Sequence, residues 1–388
     1  MATKQTHSDL EVGFTSMYAL TNSIIYNGIS TEVGKAVLIE DSQIKAIVSP
    51  HEIPADCPTH NLQGMNLAPG LLDLQIYGGG GSLFNTDISE ETIRKTVEDQ
   101  RKTGTTGLQI TLSSMSFEAM MQAIEVAKSY QRNGKKGLLG LHLEGPYFSM
   151  EKRGAHVAKY IRKASTHELE QIIDASQGLL TYMTLAPEQQ DEDCLHLLLN
   201  SHIKLSLGHS SATYKQAKAA FAKGFRRVTH LFNAMTPFQS REPGIVGATY
   251  DSDAYASIIA DGIHCDFASV RISKQLMQER LFLITDAVTE DTRGDYSFHF
   301  SQDRFTDDNG ILSGSALTMI KAIQNCVELV NIPLDEALRM ATLYPARVID
   351  QAQTHGRIAP NYIADLVIFN QDFVVKGIIE QGEIDWFN

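Results

Sequence analysis

The chain of 388 residues is long enough for one α/β barrel with an appendage, or for two or three average domains. Hydrophobic residues make up 43% and charged residues 20%, a composition that argues against a disordered or fibrous protein. The net charge of -13 argues against a protein that binds a nucleic-acid duplex through a broad basic face, whereas a small phosphorylated ligand stays possible.

The cysteines and the first residues indicate a cellular compartment. Cys57, Cys194, Cys265 and Cys326 are widely spaced and form no CxxC pair. The first residues are polar and acidic where a signal peptide has an apolar stretch, and no uncharged apolar run approaches the ~18 residues of a membrane helix. We therefore expect a cytoplasmic protein with reduced thiols that contacts neither membrane nor nucleic acid.

Both ends of the chain are predicted to be rich in β-strands. Short strand-like runs punctuated by Asn, Gly, Asp and Pro fill residues 18–65, and a similar texture returns over residues 364–383. Neither end has a convincing helix of its own, so we expect residues 1–65 and 351–388 to form one small β-sandwich domain together. We also expect roughly the first 15 residues to be flexible.

Between these ends, over residues 66–350, strand candidates alternate with amphipathic helices. In ISEETIRKTVEDQRKTG, Ile93 and Val97 are four apart, with Ser89 as the N-cap and Gly104 as the stop, which predicts a helix. About eight strands over roughly 280 residues is the scale of a (β/α)8 TIM-like barrel. A doubly wound sheet is the rival fold, which periodicity does not exclude. The strand candidates are LLDLQIY, LQITLSS, GLLGLHLE, LLTYMTLAPE, IKLSLGH, RRVTH, ASIIADGIH and LFLITD.

Five of these strand candidates end in an ionisable side chain. In a parallel barrel all strands point the same way, so their carboxyl ends meet at the face where barrel enzymes place their chemistry. One His or Asp at a strand end is more often a cap than a functional residue, but five such ends favour a common pocket. The five residues are Glu144, His209, His230, His264 and Asp286.

Two imidazoles and a carboxylate are a donor set that suits Zn²⁺, Fe²⁺ or a similar ion, and three protein ligands leave a position for water. We predict Glu144, His209 and His230 as the ligands of a catalytic metal. The pKa of a metal-bound water falls toward ~7, which makes it a nucleophile at neutral pH. Asp286 is the predicted group that takes the proton of this water and returns it to the leaving group.

A series of short motifs follows in fixed order between residues 142 and 347. Together they resemble the N-acetylglucosamine-6-phosphate deacetylase family of the amidohydrolase superfamily, and the similarity runs from about residue 18 to about residue 380. Each motif alone is a weak signal, whereas the ordered set is highly specific. The motifs are HLEGPYFS, TLAPE, LGHSSATY, THLFNAM, REPGIVGA, DGIHCD, LITDA, LSGSALTM and ATLYPAR.

The resemblance implies a metal-dependent hydrolase that removes acetate from N-acetyl-D-glucosamine 6-phosphate and leaves D-glucosamine 6-phosphate. It implies the same metal ligands as the strand ends, and Asp286 as the catalytic aspartate. It also implies that His156 hydrogen-bonds the scissile carbonyl as an oxyanion donor. The substrate contacts that it implies are Ala155, His156, Asn233, Ala234, Arg241, Asp261, Gly262, Ile263, His264, Leu312, Ser313 and Gly314.

Within this set, Arg241 and His264 suit the phosphate, because an Arg fork and an imidazole both form charge-assisted hydrogen bonds to phosphate oxygens. Residues 312–314 are expected to close over the acetyl end. The competing interpretations are an ion pair between Arg241 and Glu242 and a structural cap for His264. The resemblance also implies a homodimer in which Arg241 could act on the neighbouring subunit's site, which the sequence leaves open.

The first barrel strand ends in Gln75-Ile76-Tyr77, where many amidohydrolases carry His-x-His for a second metal. A neutral amide and a phenol of pKa ~10 are poor metal ligands at neutral pH, so we predict one divalent metal per subunit, zinc first, with iron, cobalt or manganese as alternatives. Gln75 is expected to hydrogen-bond around the metal water or the substrate. Some members of the family carry Gln-x-Asn here, so Tyr77 is a departure, and we expect its ring to pack under the following glycines rather than narrow the pocket.

Two other functions remain as alternatives. The same residues could hydrolyse another N-acyl or cyclic amide. The chain could also be a non-catalytic, amidohydrolase-like assembly protein, although the joint presence of Glu144, His209, His230 and Asp286 argues against this. Nucleotide binding by Gly78–Gly81 is not supported, because the spacing of a phosphate-binding loop is missing.

Overall fold

The computed structural model describes residues 16–387, so the prediction of a flexible start falls outside the described residues. Within that range the chain forms five sheets, of which the largest has eight strands. The strands are Met17–Thr21 (β1), Ile24–Tyr26 (β2), Thr31–Val33 (β3), Ala36–Glu40 (β4), Gln43–Val48 (β5), Thr59–Asn61 (β6), Asn66–Pro69 (β7), Leu71–Ile76 (β8), Gly78–Gly79 (β9), Ser82–Leu83 (β10), Thr105–Ser113 (β11), Leu138–Glu144 (β12), Thr181–Leu185 (β13), Lys204–Leu207 (β14), Arg227–Val228 (β15), Tyr255–Ile258 (β16), Leu281–Leu283 (β17), His299–Ser301 (β18), Arg304–Thr306 (β19), Leu366–Phe369 (β20), Val375–Glu380 (β21) and Glu383–Trp386 (β22).

The eight-stranded sheet is a parallel barrel. Its strands are neighbours in chain order, from β8 through β11, β12, β13, β14, β15 and β16 to β17. The barrel closes where Asp286 N–H donates to the carbonyl of Gln75 (2.9 Å) and Tyr77 N–H donates to the carbonyl of Ala287 (2.9 Å). Sequential order and closure confirm the predicted barrel and all eight strand candidates, and they exclude the doubly wound sheet, whose strand order reverses at a switch point.

Helices follow most of the barrel strands and bury one apolar side each. In the first of them the hydroxyl of Ser89 accepts the N–H of Thr92, and Ile93 and Val97 are buried, which confirms the predicted cap and apolar face. Gly104 has a φ of 88°, three residues after the helix ends. The helices are Glu90–Arg101 (α1), Phe117–Arg132 (α2), Thr166–Ala175 (α3), Glu192–Leu199 (α4), Tyr214–Lys223 (α5), Gly244–Tyr250 (α6), Phe267–Met277 (α7), Met319–Glu328 (α8), Leu334–Met340 (α9) and Leu343–Val348 (α10).

The two ends of the chain share a second, smaller core. One sheet has the order β5-β4-β1-β6, and the other has the order β22-β21-β20-β7-β2-β3, in which C-terminal β20 pairs antiparallel with N-terminal β7. Leu20, Ile39 and Leu67 from the start of the chain pack with Leu366 and Ile379 from its end. The predicted β-rich unit built from both ends is therefore present. The boundaries at residues 65 and 350 stay predictions.

Among residues 16–387, every helix is too short or too polar to cross a lipid bilayer. The four cysteines are free thiols, and three of them are buried.

A buried carboxyl group joins the first and last barrel strands beneath the closure. Asp73 is fully buried and accepts the backbone N–H groups of Gln75 (3.2 Å) and Thr285 (3.2 Å) and the hydroxyl of Thr285. Burial raises the pKa of Asp73 to about 6, although these hydrogen bonds partly oppose the shift. The free energy needed to ionise Asp73 is therefore larger in the folded protein than in the unfolded chain.

We expect Asp73 to make the protein less stable as the pH rises from 4 to 7. A folded-state pKa above the unfolded value contributes stability at pH 4, and this contribution is lost as the pH rises through about 6. The free energy of unfolding of wild type should fall by roughly 2.5 kcal/mol relative to Asp73→Asn across this range. Urea unfolding of both proteins at several pH values measures this difference. Parallel pH profiles of the two proteins would contradict it.

Candidate active site

The five ionisable strand-end residues meet at the carboxyl face of the barrel. Glu144 is the last residue of β12, while His209, His230 and Asp286 follow β14, β15 and β17 by two or three residues, and His264 lies in the loop after β16. All five line one cavity of about 200 Å³. The common pocket predicted from the strand ends is therefore present.

Three donor atoms in this cavity have the spacing of a metal site. Oε1 of Glu144 lies 3.1 Å from Nε2 of His230 and 3.3 Å from Nε2 of His209, and the two Nε2 atoms are 3.0 Å apart. Corners of a tetrahedron with metal–ligand bonds of 2.0–2.1 Å are roughly 3.3 Å apart. The three predicted ligands therefore fit a zinc-sized ion in their present positions.

His156 lies in the same cluster, and its ligand atom is within 4.8 Å of those of Glu144 and His209. The ring nitrogen that carries the proton distinguishes His156 from the predicted metal ligands. The backbone N–H of Ser114 donates to Nδ1 of His156 (3.1 Å), so the ring proton is on Nε2, which donates to Oε2 of Glu144 (3.0 Å). A nitrogen that carries a proton has no lone pair for a metal. His156 is therefore placed as a hydrogen-bond donor.

His209 has the opposite tautomer. Its Nδ1 lies 2.9 Å from the carbonyl of Lys152, which can only accept, so Nδ1 carries the proton and the lone pair of Nε2 points into the cluster. Burial lowers the pKa of His209 to about 4, which keeps the ring neutral, as a ligand must be. For His230, the hydrogen bond and charge of Glu144 outweigh burial and raise the pKa. A metal ion competes with that proton for the same nitrogen.

Gln75 and Tyr77 lie between the two carboxylates. Nε2 of Gln75 is 2.8 Å from Oε1 of Glu144 and 2.7 Å from Oδ1 of Asp286, and the hydroxyl of Tyr77 donates to Oε2 of Glu144. The ring of Tyr77 packs with Leu83 and other apolar residues, as expected. Packing is not its only role, because residues two apart on a strand share a face and Tyr77 also lines the cavity. Gln75, whose Nε2 lies 2.8 Å from the Tyr77 hydroxyl, is not among the lining residues.

The two carboxylates differ in their tendency to hold a proton. Burial opposes the ionisation of Glu144, but the imidazoles around it hold its pKa well below the usual range. Burial, followed by the negative charge of Glu144, raises the pKa of Asp286. A carboxyl group whose pKa is shifted toward neutrality can accept and release a proton in one reaction cycle.

Three of the strand-end residues have a strained backbone. His209, His230 and Asp286 have φ values of 47°, 35° and 54°, in the left-handed region that side chains with a Cβ rarely adopt. Such a conformation costs roughly 1–2 kcal/mol per residue. Left-handed residues at three strand ends around one cavity indicate a site in which side-chain direction is favoured over backbone relaxation.

Most of the other predicted substrate contacts also line the cavity. Asp261 lies beside it, and its Oδ2 accepts Nδ1–H of His264 (2.7 Å), which leaves Nε2 of His264 available for a ligand. Backbone N–H groups of Ile263 and His264 donate to the other oxygen of Asp261. The predicted contacts that line the cavity are Ala155, His156, Asn233, Ala234, His264, Leu312, Ser313 and Gly314.

Arg241 does not reach this cavity. Its side chain is exposed in the loop before α6, and within residues 16–387 no arginine or lysine lines the cavity. Arg241 therefore does not contact the site of its own chain in this structure, and its role as a substrate contact stays a prediction. Gly262 and Ile263 also lie outside the lining.

A second group of lining residues was not predicted from the sequence. Tyr296 and Phe298 come from the segment that follows Asp286, and they pack with Tyr77 and Val288 above the site. The alternation of aromatic residues in YSFHF was the available signal, because it is typical of a strand with one buried face. Ser113 and Gly154 line the cavity as well.

Comparisons with known proteins agree with this geometry. The amidohydrolase family model matches residues 66–384, and the NagA composite domain matches residues 17–67. The N-acetylglucosamine-6-phosphate deacetylase of Haemophilus influenzae is 37% identical over 94% of this chain and 98% of that protein. The N-acetylgalactosamine-6-phosphate deacetylase of a Shewanella species is 33% identical over 86% of each chain.

A solved structure shows the same similarity over the whole fold. The crystal structure of N-acetylglucosamine-6-phosphate deacetylase from Pasteurella multocida superposes with a TM-score of 0.91 at 37% identity, covering 96% of this chain and 100% of that one. Because the amidohydrolase model matches most of the chain and these similarities are nearly full-length, the chain belongs to the amidohydrolase family.

Proposed function

We propose that this protein hydrolyses the acetamide of N-acetyl-D-glucosamine 6-phosphate to D-glucosamine 6-phosphate and acetate, in the catabolism or recycling of amino sugars. One observation carries the proposal: a carboxylate and two imidazoles with the spacing of metal ligands share a cavity with an N–H donor, His156, and a second carboxyl group, Asp286. The activities named for the Haemophilus and Pasteurella relatives specify the substrate.

Glu144, His209 and His230 would hold one divalent metal ion per subunit, which when bound supplies Lewis acidity and lowers the pKa of a coordinated water. Mixed nitrogen and oxygen donors suit zinc, with iron, cobalt or manganese as alternatives. Gln75 N–H groups between the two carboxylates orient Asp286 toward the cavity.

Asp286 carries the proton in the proposed reaction, and His156 donates a hydrogen bond. Asp286 takes one proton from the attacking water, whose oxygen forms a bond to the acetamide carbon. Nε2–H of His156 donates to the carbonyl oxygen as negative charge develops on it. Asp286 then gives its proton to the amine nitrogen as the C–N bond breaks, which releases the free amino sugar and acetic acid. The acid loses the second proton of the water to solvent and becomes acetate.

The sugar phosphate occupies the side of the cavity that includes Asn233, Ala234 and His264, with Asp261 holding the His264 ring. Leu312–Gly314 cover the acetyl end. A phosphate dianion needs more than one imidazole, and among residues 16–387 no Arg or Lys lines the cavity. We therefore propose a homodimer in which Arg241 of the partner subunit supplies a guanidinium, and we propose the cytoplasm as its location.

The first test pairs metal content with acetate release. We expect one metal ion per chain, and rapid acetate release from N-acetyl-D-glucosamine 6-phosphate that a chelator abolishes and added Zn²⁺ restores. Unphosphorylated N-acetylglucosamine should react poorly, because it lacks the group that His264 and Arg241 bind. Faster hydrolysis of N-acetylgalactosamine 6-phosphate, or of a cyclic amide, would show that the proposed substrate is not the preferred one. A pure protein that binds no metal and releases no acetate would contradict the function.

The second test removes the proton acceptor. Asp286→Asn should lower kcat by about 10²- to 10⁴-fold, the usual contribution of a general acid–base group, while metal content and substrate binding persist. Asn also tolerates the left-handed backbone, so the fold should be retained. Asp295→Asn is the matched control, because Asp295 is an exposed carboxylate paired with Lys159 outside the cavity. A rate for Asp286→Asn close to that of the control would show that another group takes the proton.

The third test asks which subunit Arg241 serves. Arg241→Ala should raise KM for the phosphorylated substrate about tenfold or more, since a charge-assisted contact is lost. Co-expression of Arg241→Ala chains with Asp286→Asn chains should restore about a quarter of wild-type turnover, because half of the dimers then contain one intact site. Activity no higher than the sum of the two parent variants would exclude action across the dimer.

A further inference from the structure

The two oxygens of Glu144 have different neighbours. Oε1 faces Nε2 of both His209 and His230. Oε2 is turned away from them and accepts two hydrogen bonds, one from the hydroxyl of Tyr77 and one from Nε2–H of His156. Oε1 also accepts Nε2–H of Gln75 (2.8 Å), so one oxygen faces the two imidazoles and an amide, while the other is held by Tyr77 and His156.

Of these two donors, Tyr77 is the one that has no task at the substrate in the proposed reaction. Its ring packs among Leu83, Val288 and Phe298, and its oxygen also accepts Nε2–H of Gln75 at 2.8 Å. The phenol therefore donates its only proton to Glu144 and is oriented from its other side by an amide.

His156 has a second task in the proposed reaction. Its Nε2–H is needed at the substrate carbonyl, and one N–H bond cannot point fully at both the carbonyl and Oε2 of Glu144. When His156 turns to the substrate, Oε2 would be a buried carboxylate oxygen without a donor unless Tyr77 remained. A buried charged group that loses its hydrogen-bond donor is strongly disfavoured.

We propose that Tyr77 is a positioning residue whose hydroxyl holds Oε2 of Glu144, so that Glu144 binds the metal through Oε1 alone and His156 is free to bind the substrate carbonyl. The proposal rests on the metal-dependent hydrolysis proposed above. It also assigns a chemical role to the residue by which this chain departs from Gln-x-Asn.

The same positions of Tyr77 and Gln75 favour the single metal ion per subunit that we propose above. Oδ1 of Asp286 lies 3.2 Å from the hydroxyl of Tyr77 and 2.7 Å from Nε2 of Gln75, and both groups also contact Glu144. The space between the two carboxylates, where a second cation would bind, is thus occupied by an O–H and an N–H group. These donors offset the repulsion of the two carboxylates without a second ion.

Metal affinity without substrate tests the proposal. The chelator-treated protein is titrated with Zn²⁺ in competition with a colour-forming chelator, for wild type and for Tyr77→Phe. We expect the affinity of Tyr77→Phe to fall by about 10- to 100-fold, as is typical when a group that orients a metal ligand is removed. We also expect kcat to fall more than KM rises, because His156 stays on Oε2. Zinc affinity within twofold of wild type would overturn the proposal.

Two matched variants separate the hydroxyl from the ring. Leu83→Ala removes packing beside the Tyr77 ring but keeps its hydroxyl, so the unfolding temperature should fall while zinc affinity stays near wild type. Tyr130→Phe removes a buried phenol that bonds the carbonyl of Lys136 far from the site, and it should leave zinc affinity unchanged. Equal losses of zinc affinity in Leu83→Ala and Tyr77→Phe would overturn the role of the hydroxyl. A wild-type protein that binds no zinc or other divalent ion would instead overturn the metal-dependent function.

Discussion

The site depends on one buried carboxylate, Glu144, whose side chain is 1% exposed. An isolated ionised carboxylate at such depth would cost several kcal/mol, so it is tolerated only if the surrounding strands supply donors or a cation. Gln75 and Tyr77 from the first strand, His156 from the loop after β12, and two imidazoles from β14 and β15 all converge on it. Strands β8, β14 and β15 and the loop after β12 thus each place a partner for this charge.

Some of these partners are themselves held with a strained backbone. His209, His230 and Asp286 leave their strands through left-handed backbone, which the barrel beneath them must stabilise. For Asp286 the stabilising bond is known: its N–H donates to the carbonyl of Gln75, the same bond that closes the barrel. One of the two bonds that close the barrel therefore also holds the backbone of Asp286, the proposed acid–base group.

The barrel fold explains which parts of the site the sequence could predict. In a parallel barrel, chain order becomes spatial order, so five polar strand ends were enough to predict a common pocket from Glu144 to Asp286. No comparable rule applies to loops. Arg241 was predicted as a substrate contact, in its own chain or across a dimer, and it is exposed outside the cavity lining of its own chain. Tyr296 was not predicted although it lines the cavity. Tyr77 was a borderline case: period-two alternation places it on the face of Gln75, yet the reach of its hydroxyl depends on packing across the barrel.

No sequence motif shows which histidine can bind a metal and which can donate a hydrogen bond. His156 and His209 are both buried against Glu144, and proximity alone would make both of them ligands. The difference is what the other ring nitrogen touches: for His156 a backbone N–H from Ser114, and for His209 a backbone carbonyl from Lys152. A backbone donor leaves the outer nitrogen protonated, and a backbone acceptor leaves it with a free lone pair. Since both partners are more than 40 residues away in the chain, the fold determines which imidazole can bind a metal and which can donate to an oxyanion.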